Sequence, residues 1–130
     1  MKSTELRVGN FVSVDGKTLP VTQIFEKGLN CGNVGALYEL VKPIPLTEEW
    51  LKRFGFESQH AGHYYNNINE EFYVFCNGTD CGIAFQEIEH GVDDIDYERV
   101  LSITIDHVHQ LQNLYFALTG EELNQNKEDE

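Results

Sequence analysis

The stretch DHVHQLQNLYFALTG, Asp106 to Gly120, decides the fold class of this 130-residue chain. Val108, Leu111, Tyr115 and Leu118 recur at helical spacing, and Leu114 widens the stripe. That pattern predicts an amphipathic helix with one face broad enough to seat on a sheet. Asp106 is the expected N-cap, because its carboxylate accepts from first-turn N–H groups and suits the positive end of the helix dipole. Gln110 and Asn113 fall off the stripe and are expected to face solvent. Gly120 takes the left-handed conformation that stops a helix most readily, and Leu123 is placed to fold back over the last turn. Each buried Leu or Phe side chain is worth roughly 1.5–3 kcal/mol, so a helix carrying several outweighs any surface feature. A partner-binding role for this helix would require Phe116 to be exposed.

The preceding segment, Arg99 to Ile105, alternates cleanly. Leu101, Ile103 and Ile105 point one way, Ser102 and Thr104 the other, as in a half-buried strand. A strand running into an amphipathic helix predicts an α+β fold in which the C-terminal helix covers an antiparallel sheet. Three further strands are expected at His63 to Ile68, Glu71 to Cys76 and Gly82 to Ile88. For the central hairpin, the register that pairs Cys76 with Cys81 also sets Val74 opposite Ile83 and Phe72 opposite Phe85, which builds one apolar face; the alternative, a tighter Asn77-Gly78 turn, would oppose Glu70 to Phe85.

Nearer the start, Leu6 to Val14 alternates, and Asp15-Gly16 signals a hairpin turn. The return strand runs from Thr18 to Phe25, at an edge or bulge because Pro20 cannot donate to a ladder. Residues Lys27 to Gly35 read as a glycine- and asparagine-rich loop, and Tyr38 to Val41 as a third strand. Together, residues 1–42 form a small curled β unit that would be barrel-like if it closed. Pro43-Ile44-Pro45 is an extended connector. It leads into a helix from Thr47 to Phe54 with Thr47 as N-cap, Leu46 and Leu51 at hydrophobic-staple positions, and Gly55 as terminator. Trp50 and Phe54, one turn apart, are expected to pack inward. Residues 1–123 thus read as a single α+β domain whose part from 47 to 123 is helix, sheet and helix. Residues 124–130 read as a disordered tail.

A hydrophobic content of 41% argues against disorder, and the length suffices for a core without metal or disulfide staples. No apolar run has the length of a membrane span, and Met1 to Glu5 lacks the apolar core of a signal peptide. Cys31, Cys76 and Cys81 are an odd number, which fits reduced thiols. The expected setting is the cytoplasm. A formal net charge of -13 repels phosphate backbones and anionic membranes and suits a basic protein partner.

Two constellations carry candidate chemistry. His60 and His63 with Cys76 and Cys81 supply the nitrogen and sulfur ligands that zinc prefers, if the weak strand neighbours the hairpin. Glu87, Glu89, Asp93, Asp94, Asp96 and Glu98 concentrate carboxylates between the last two strands and form the expected partner-binding segment. They lack the glycine and terminal glutamate of an EF-hand loop. His107 and His109 sit on nearly opposite sides of a regular helix and would not chelate one ion together. No phosphate loop, nucleophile elbow or dinucleotide fingerprint occurs.

Leu6 to Asn10, Ile44 to Leu51, Phe54-Gly55-Phe56 and Val108 to Gly120 resemble segments of a family of small uncharacterised bacterial proteins. Those are similar to proteins carried on prophages and mobile elements of gut bacteria. The resemblance implies a phage or mobile-element accessory protein and brings no catalytic residue, cofactor or partner. The expectation is therefore a non-enzymatic acidic protein that binds another protein, in its sharper form a nucleic-acid mimic that inhibits a basic host protein. The alternative is a small zinc protein or hydrolytic enzyme using the His/Cys set. Self-assembly through an exposed edge strand is a third reading, since Pro20 marks an edge without fully protecting it.

Overall fold

The computed structural model describes the backbone of residues 1–60, 63–67, 72–78, 80–88 and 95–123, and the side chains of all of these except 59, 60, 72, 85–88 and 95–102. Strands and helices are both present and the sheets are antiparallel, so the class is α+β. Among the described residues the α-helices are α1 (Glu48–Arg53) and α2 (Val108–Thr119). The chain forms two compact units. One comprises Met1–Leu46 with Asp106–Leu123, and the other is centred on Thr47–Ile105. Helix α2 is therefore grouped with the N-terminal strands, whereas its sequence neighbours suggested a place in the part from 47 to 123.

The first unit holds β1 (Phe11–Val14), β2 (Lys17–Pro20), β3 (Gln23–Ile24), β4 (Gly28–Cys31), β5 (Val34–Leu37) and β6 (Val41–Lys42). They make two three-stranded sheets, β2-β1-β6 and β3-β4-β5, and no closed barrel. The β1–β2 turn is the one expected at Asp15-Gly16. Both residues have positive φ, 52° and 76°, which matches the twist of the flanking strands. Pro20 ends β2, an edge strand, where its missing N–H faces no ladder.

Several expectations for this unit are corrected: the first strand begins at Phe11 instead of Leu6, and the return strand expected from Thr18 to Phe25 divides into β2 and β3, which belong to different sheets. Residues 28–37 are a hairpin instead of a loop, with Leu29 opposite Ala36 and Asn30 opposite Gly35. Its glycines serve close packing: a Cβ on Gly28 would lie 2.4 Å from the Ala36 carbonyl oxygen. Tyr38–Leu40 is a turn of 3-10 helix instead of a strand, and pairing resumes only at Val41. Val12, Val14, Val21, Leu29, Cys31 and Val41 form the core of the unit, with Leu6 closing it.

Helix α2 lies against β1. Val108, His109, Leu111 and Gln112 are its buried residues, while Leu114 and Tyr115 are half-buried and Leu118 is exposed. The buried face is thus the N-terminal half of the expected stripe, rotated toward Gln112. The N-cap is His107, one residue beyond the expected Asp106. The capping group is the Gln110 side chain, whose Oε1 accepts from both the Asp106 and His107 N–H groups at 3.1 Å. Gly120 ends the helix in the left-handed conformation with φ 74°, as expected, and Leu123 is buried. The two chain crossings that bound the unit are tied together. Pro45 bridges His107, the Leu46 N–H donates to Asp106 and the Val108 N–H donates to Ile44.

In the second unit, Thr47 caps α1 by accepting from the Trp50 N–H at 3.4 Å. The helix ends as the sequence suggests: Gly55 has φ 83°, its N–H donates to Lys52, and the Phe56 N–H donates to Leu51. Trp50 and Phe54 are buried with ring centroids 5.5 Å apart. The five strands β7 (Glu57–His60), β8 (His63–Asn67), β9 (Phe72–Asn77), β10 (Asp80–Ile88) and β11 (Ile95–Thr104) form one antiparallel sheet in sequence order. The central hairpin has the expected register, with Cys76 opposite Cys81, Val74 opposite Ile83 and Phe72 opposite Phe85. Strand β7 was not foreseen; its sequence, Glu-Ser-Gln-His, carries no apolar alternation. Ile68, Glu71 and the expected tail 124–130 lie outside the described residues.

Candidate functional site

The expected metal set separates on the sheet. His63 pairs with Asn77, whereas Tyr64, one residue on, pairs with Cys76, which in turn pairs with Cys81. Successive side chains of a strand point to opposite faces. His63 is therefore on the face opposite the two cysteines, exposed where they are fully buried. His60 pairs with His63 in the backbone ladder, and its side chain lies outside the described residues. Among the described residues no group of three or more His, Cys, Asp or Glu is placed to hold an ion.

The acidic segment is divided in the same way. Glu87 lies in a strand as expected, while Asp96 and Glu98 also belong to a strand instead of the connection before it, with Glu87 opposite Asp96 and Glu98 opposite Phe85. Their side chains, and Glu89, Asp93 and Asp94 altogether, lie outside the described residues.

Two features that sequence reasoning missed belong to the first unit. One is a polar seat beneath α2. Gln112 is 1% exposed and acts as a backbone surrogate: its Oε1 accepts from the Phe11 N–H at 2.8 Å and its Nε2 donates to the Gly9 carbonyl at 3.0 Å. Asn113, expected in solvent, accepts on Oδ1 from Asn10 Nδ2 at 2.8 Å and from Arg7 Nε at 3.0 Å, and donates to the Glu5 carbonyl. Arg7 also pairs with Glu122 and lies over the Phe116 ring, 4.1 Å from its centroid. Phe116 is thus exposed, but one ring face is taken.

His109 is 3% exposed, and its Nδ1 has no hydrogen-bond partner among the described residues. Burial pushes this imidazole below its ordinary pKa, and neighbouring His107 pushes the same way, while Glu5 opposes. The two rings stack with centroids 5.8 Å apart. They meet because His107 is extended at the N-cap, outside the helical rotation that would have separated them.

The other feature is a groove on the β3-β4-β5 sheet. On the face away from the core, β5 presents Leu37 opposite Gly28, and β4 presents Asn30 opposite Gly35. Gly28 and Gly35 are among the residues that line a depression on this face. Its volume is about 420 Å³, within the range of ligand-sized clefts, and it is open on the solvent side. Phe25, Leu37 and Leu40 rim it, 52%, 50% and 59% exposed, with Lys27 as the cation among its lining residues. Asn30 is fixed by donating to Gln23 at 2.8 Å, and the Tyr38 hydroxyl donates to the Phe25 carbonyl. Three large apolar residues held half out of water around a fixed depression can receive an apolar side chain.

No protein-family model matches the chain, and no match is found among curated proteins or solved structures. No helix among the described residues is long and apolar enough to cross a membrane. The fold and groove define the chain only as an α+β protein with an exposed apolar cleft.

Proposed function

We propose that this chain is a non-enzymatic binding protein of the phage or mobile-element accessory kind, whose groove receives an apolar side chain from a cationic segment of a protein partner. The observation that carries the reading is the exposure of Phe25, Leu37 and Leu40 around one depression. Leaving such residues in water sacrifices roughly 25 cal/mol per Å² of apolar surface, which burial against a partner recovers. Charge selects the partner's sign. The chain carries a formal -13, and exposed Glu26 and Glu39 flank the groove in sequence, so an approaching cationic segment is steered and an anionic one is repelled. In its sharper form the acidic chain imitates nucleic acid toward a basic host protein.

The test places a photo-crosslinking residue at Leu40 of the full chain in bacterial lysate and identifies the adducts by mass spectrometry. A discrete adduct with a basic protein is expected, weakened by Phe25→Ser and by raised salt. Adducts that ignore Phe25→Ser, or that form only with acidic proteins, refute the reading.

A further inference from the structure

Cys76 and Cys81 face each other across the β9–β10 hairpin, and that placement has its own chemistry. Asn77 and Asp80 are the closing pair of the β9–β10 hairpin, with two residues between them. The closing pair of such a two-residue hairpin exchanges both backbone hydrogen bonds. Pair types alternate along an antiparallel ladder, so Cys76 and Cys81, one rung in, are a non-hydrogen-bonded pair. At such a rung the Cα atoms stand about 4.5 Å apart with side chains at their closest, inside the window of roughly 4.4–6.8 Å that a disulfide spans. The pairing is not only a matter of register. A hydrogen bond between the two thiols, together with burial, raises the Cys76 thiol well above its ordinary pKa. Both residues are 0% exposed, and no ion-binding group among the described residues claims them.

We propose that Cys76 and Cys81 form an intramolecular dithiol/disulfide couple that closes covalently across the β9–β10 hairpin when a low-molecular-weight disulfide is supplied. One cysteine, as thiolate, attacks a sulfur of the small disulfide, giving a mixed disulfide and releasing one thiolate of the reagent. The other cysteine loses its proton and attacks the protein sulfur of the mixed disulfide, expelling the second thiolate. The protein loses two protons and two electrons, and the small disulfide is reduced to two thiols. Burial shapes both directions. Both thiols are fully buried, so entry waits on local opening and exchange is slow. Once formed, the bond is shielded from reductant. Cys31, buried in the core of the first unit, serves as an internal reference.

The experiment equilibrates the full reduced chain anaerobically with a series of reduced-to-oxidised glutathione ratios. Each sample is quenched in acid, unfolded, alkylated and mapped by mass spectrometry. Cys76 and Cys81 are expected to lose alkylation together in one two-electron transition and to appear in one cross-linked peptide species. Cys31 remains alkylated across that transition. Cys81→Ser is expected to trap glutathione on Cys76. Should that variant fail to fold, the parent titration alone decides. Cysteines 76 and 81 that stay as separate thiols or separate glutathione adducts across the whole series, or a link from either to Cys31, would overturn the proposal.

Discussion

Replacing Gln112 by Leu tests the seat of α2 most directly. The substitution keeps an apolar body of similar size in a site that is 1% exposed, so cavity formation contributes little. It removes the acceptor at 2.8 Å from the Phe11 N–H and the donor at 3.0 Å from the Gly9 carbonyl. A buried backbone group that loses its partner costs about 1–3 kcal/mol, so two lost bonds, offset by the added apolar contact, should destabilise the chain by about 2–4 kcal/mol. Gln112→Glu should be no better. It preserves an acceptor for Phe11 but turns a carboxylate oxygen toward the Gly9 carbonyl in a buried place. Gln110→Ala, on the exposed side of the same helix, loses only the cap to Asp106 and His107 and should cost about 1 kcal/mol. Urea unfolding followed by circular dichroism gives the free energies, and native-state hydrogen exchange at the Phe11 amide reports the bond itself. If Gln112→Leu lies within about 0.5 kcal/mol of the parent, as ordinary surface substitutions do, and the Phe11 amide exchanges no faster, the seat described here is wrong.

Gly28→Ala should destabilise the chain by about 1–3 kcal/mol, because its Cβ would sit 2.4 Å from the Ala36 carbonyl and the β4–β5 hairpin must part to admit it. Thermal unfolding measures this, and an unchanged midpoint would contradict the close approach. His109 gives stability a pH dependence of defined sign. Its folded-state pKa is lowered from 6.5, so the unfolded chain binds the proton first. Stability is full above about pH 6.5, falls as pH drops from there toward the folded pKa, and levels below it, with a slope of at most about 1.4 kcal/mol per pH unit. His109→Leu should flatten that limb in urea titrations between pH 7 and 5, and an unaltered limb would assign it elsewhere.

Local chemistry was legible in the sequence where one residue type has one conformational use. Asp15-Gly16, Thr47, Gly55 and Gly120 all take the turn or cap roles their types favour. The Cys76–Cys81 register was legible because only that pairing put apolar residues opposite each other along the hairpin. Residues 28–37 misled because glycine and asparagine usually mark loops. Here the glycines allow strands to approach, and that use depends on a partner strand, not on composition. The groove was invisible for the same reason: its lining residues come together only once β4 and β5 pair. The His/Cys set looked convergent in one dimension, but a one-residue offset on a pleated strand sends His63 and Cys76 to opposite faces.

The place of α2 is the deeper case. An apolar stripe states that a helix has a buried face and leaves open which sheet it faces. Within the first unit α2 lies against β1, about a hundred residues earlier in the chain. What fixes it there is partly polar. Hydrogen bonds from Gln112 and Asn113 satisfy backbone groups of Gly9, Phe11 and Glu5. Apolar surface is interchangeable among sheets, but an amide placed to mimic a strand fits only a backbone with the complementary donor and acceptor at matching distance. The sequence order then has a physical consequence. The strands of residues 1–46 lack the groups that complete Gly9 and Phe11 until the chain has closed the long excursion between Leu46 and Asp106. The bridge between Pro45 and His107, with the flanking bonds from Leu46 and Val108, pins the two ends of that excursion together. Closing so long a loop is entropically costly once, and the cost grows only slowly with further length. Specificity for β1 therefore rests on the buried Gln112 amide and the half-buried Asn113 amide, which reward one docking geometry, while the apolar face of α2 supplies most of the driving force for docking at all.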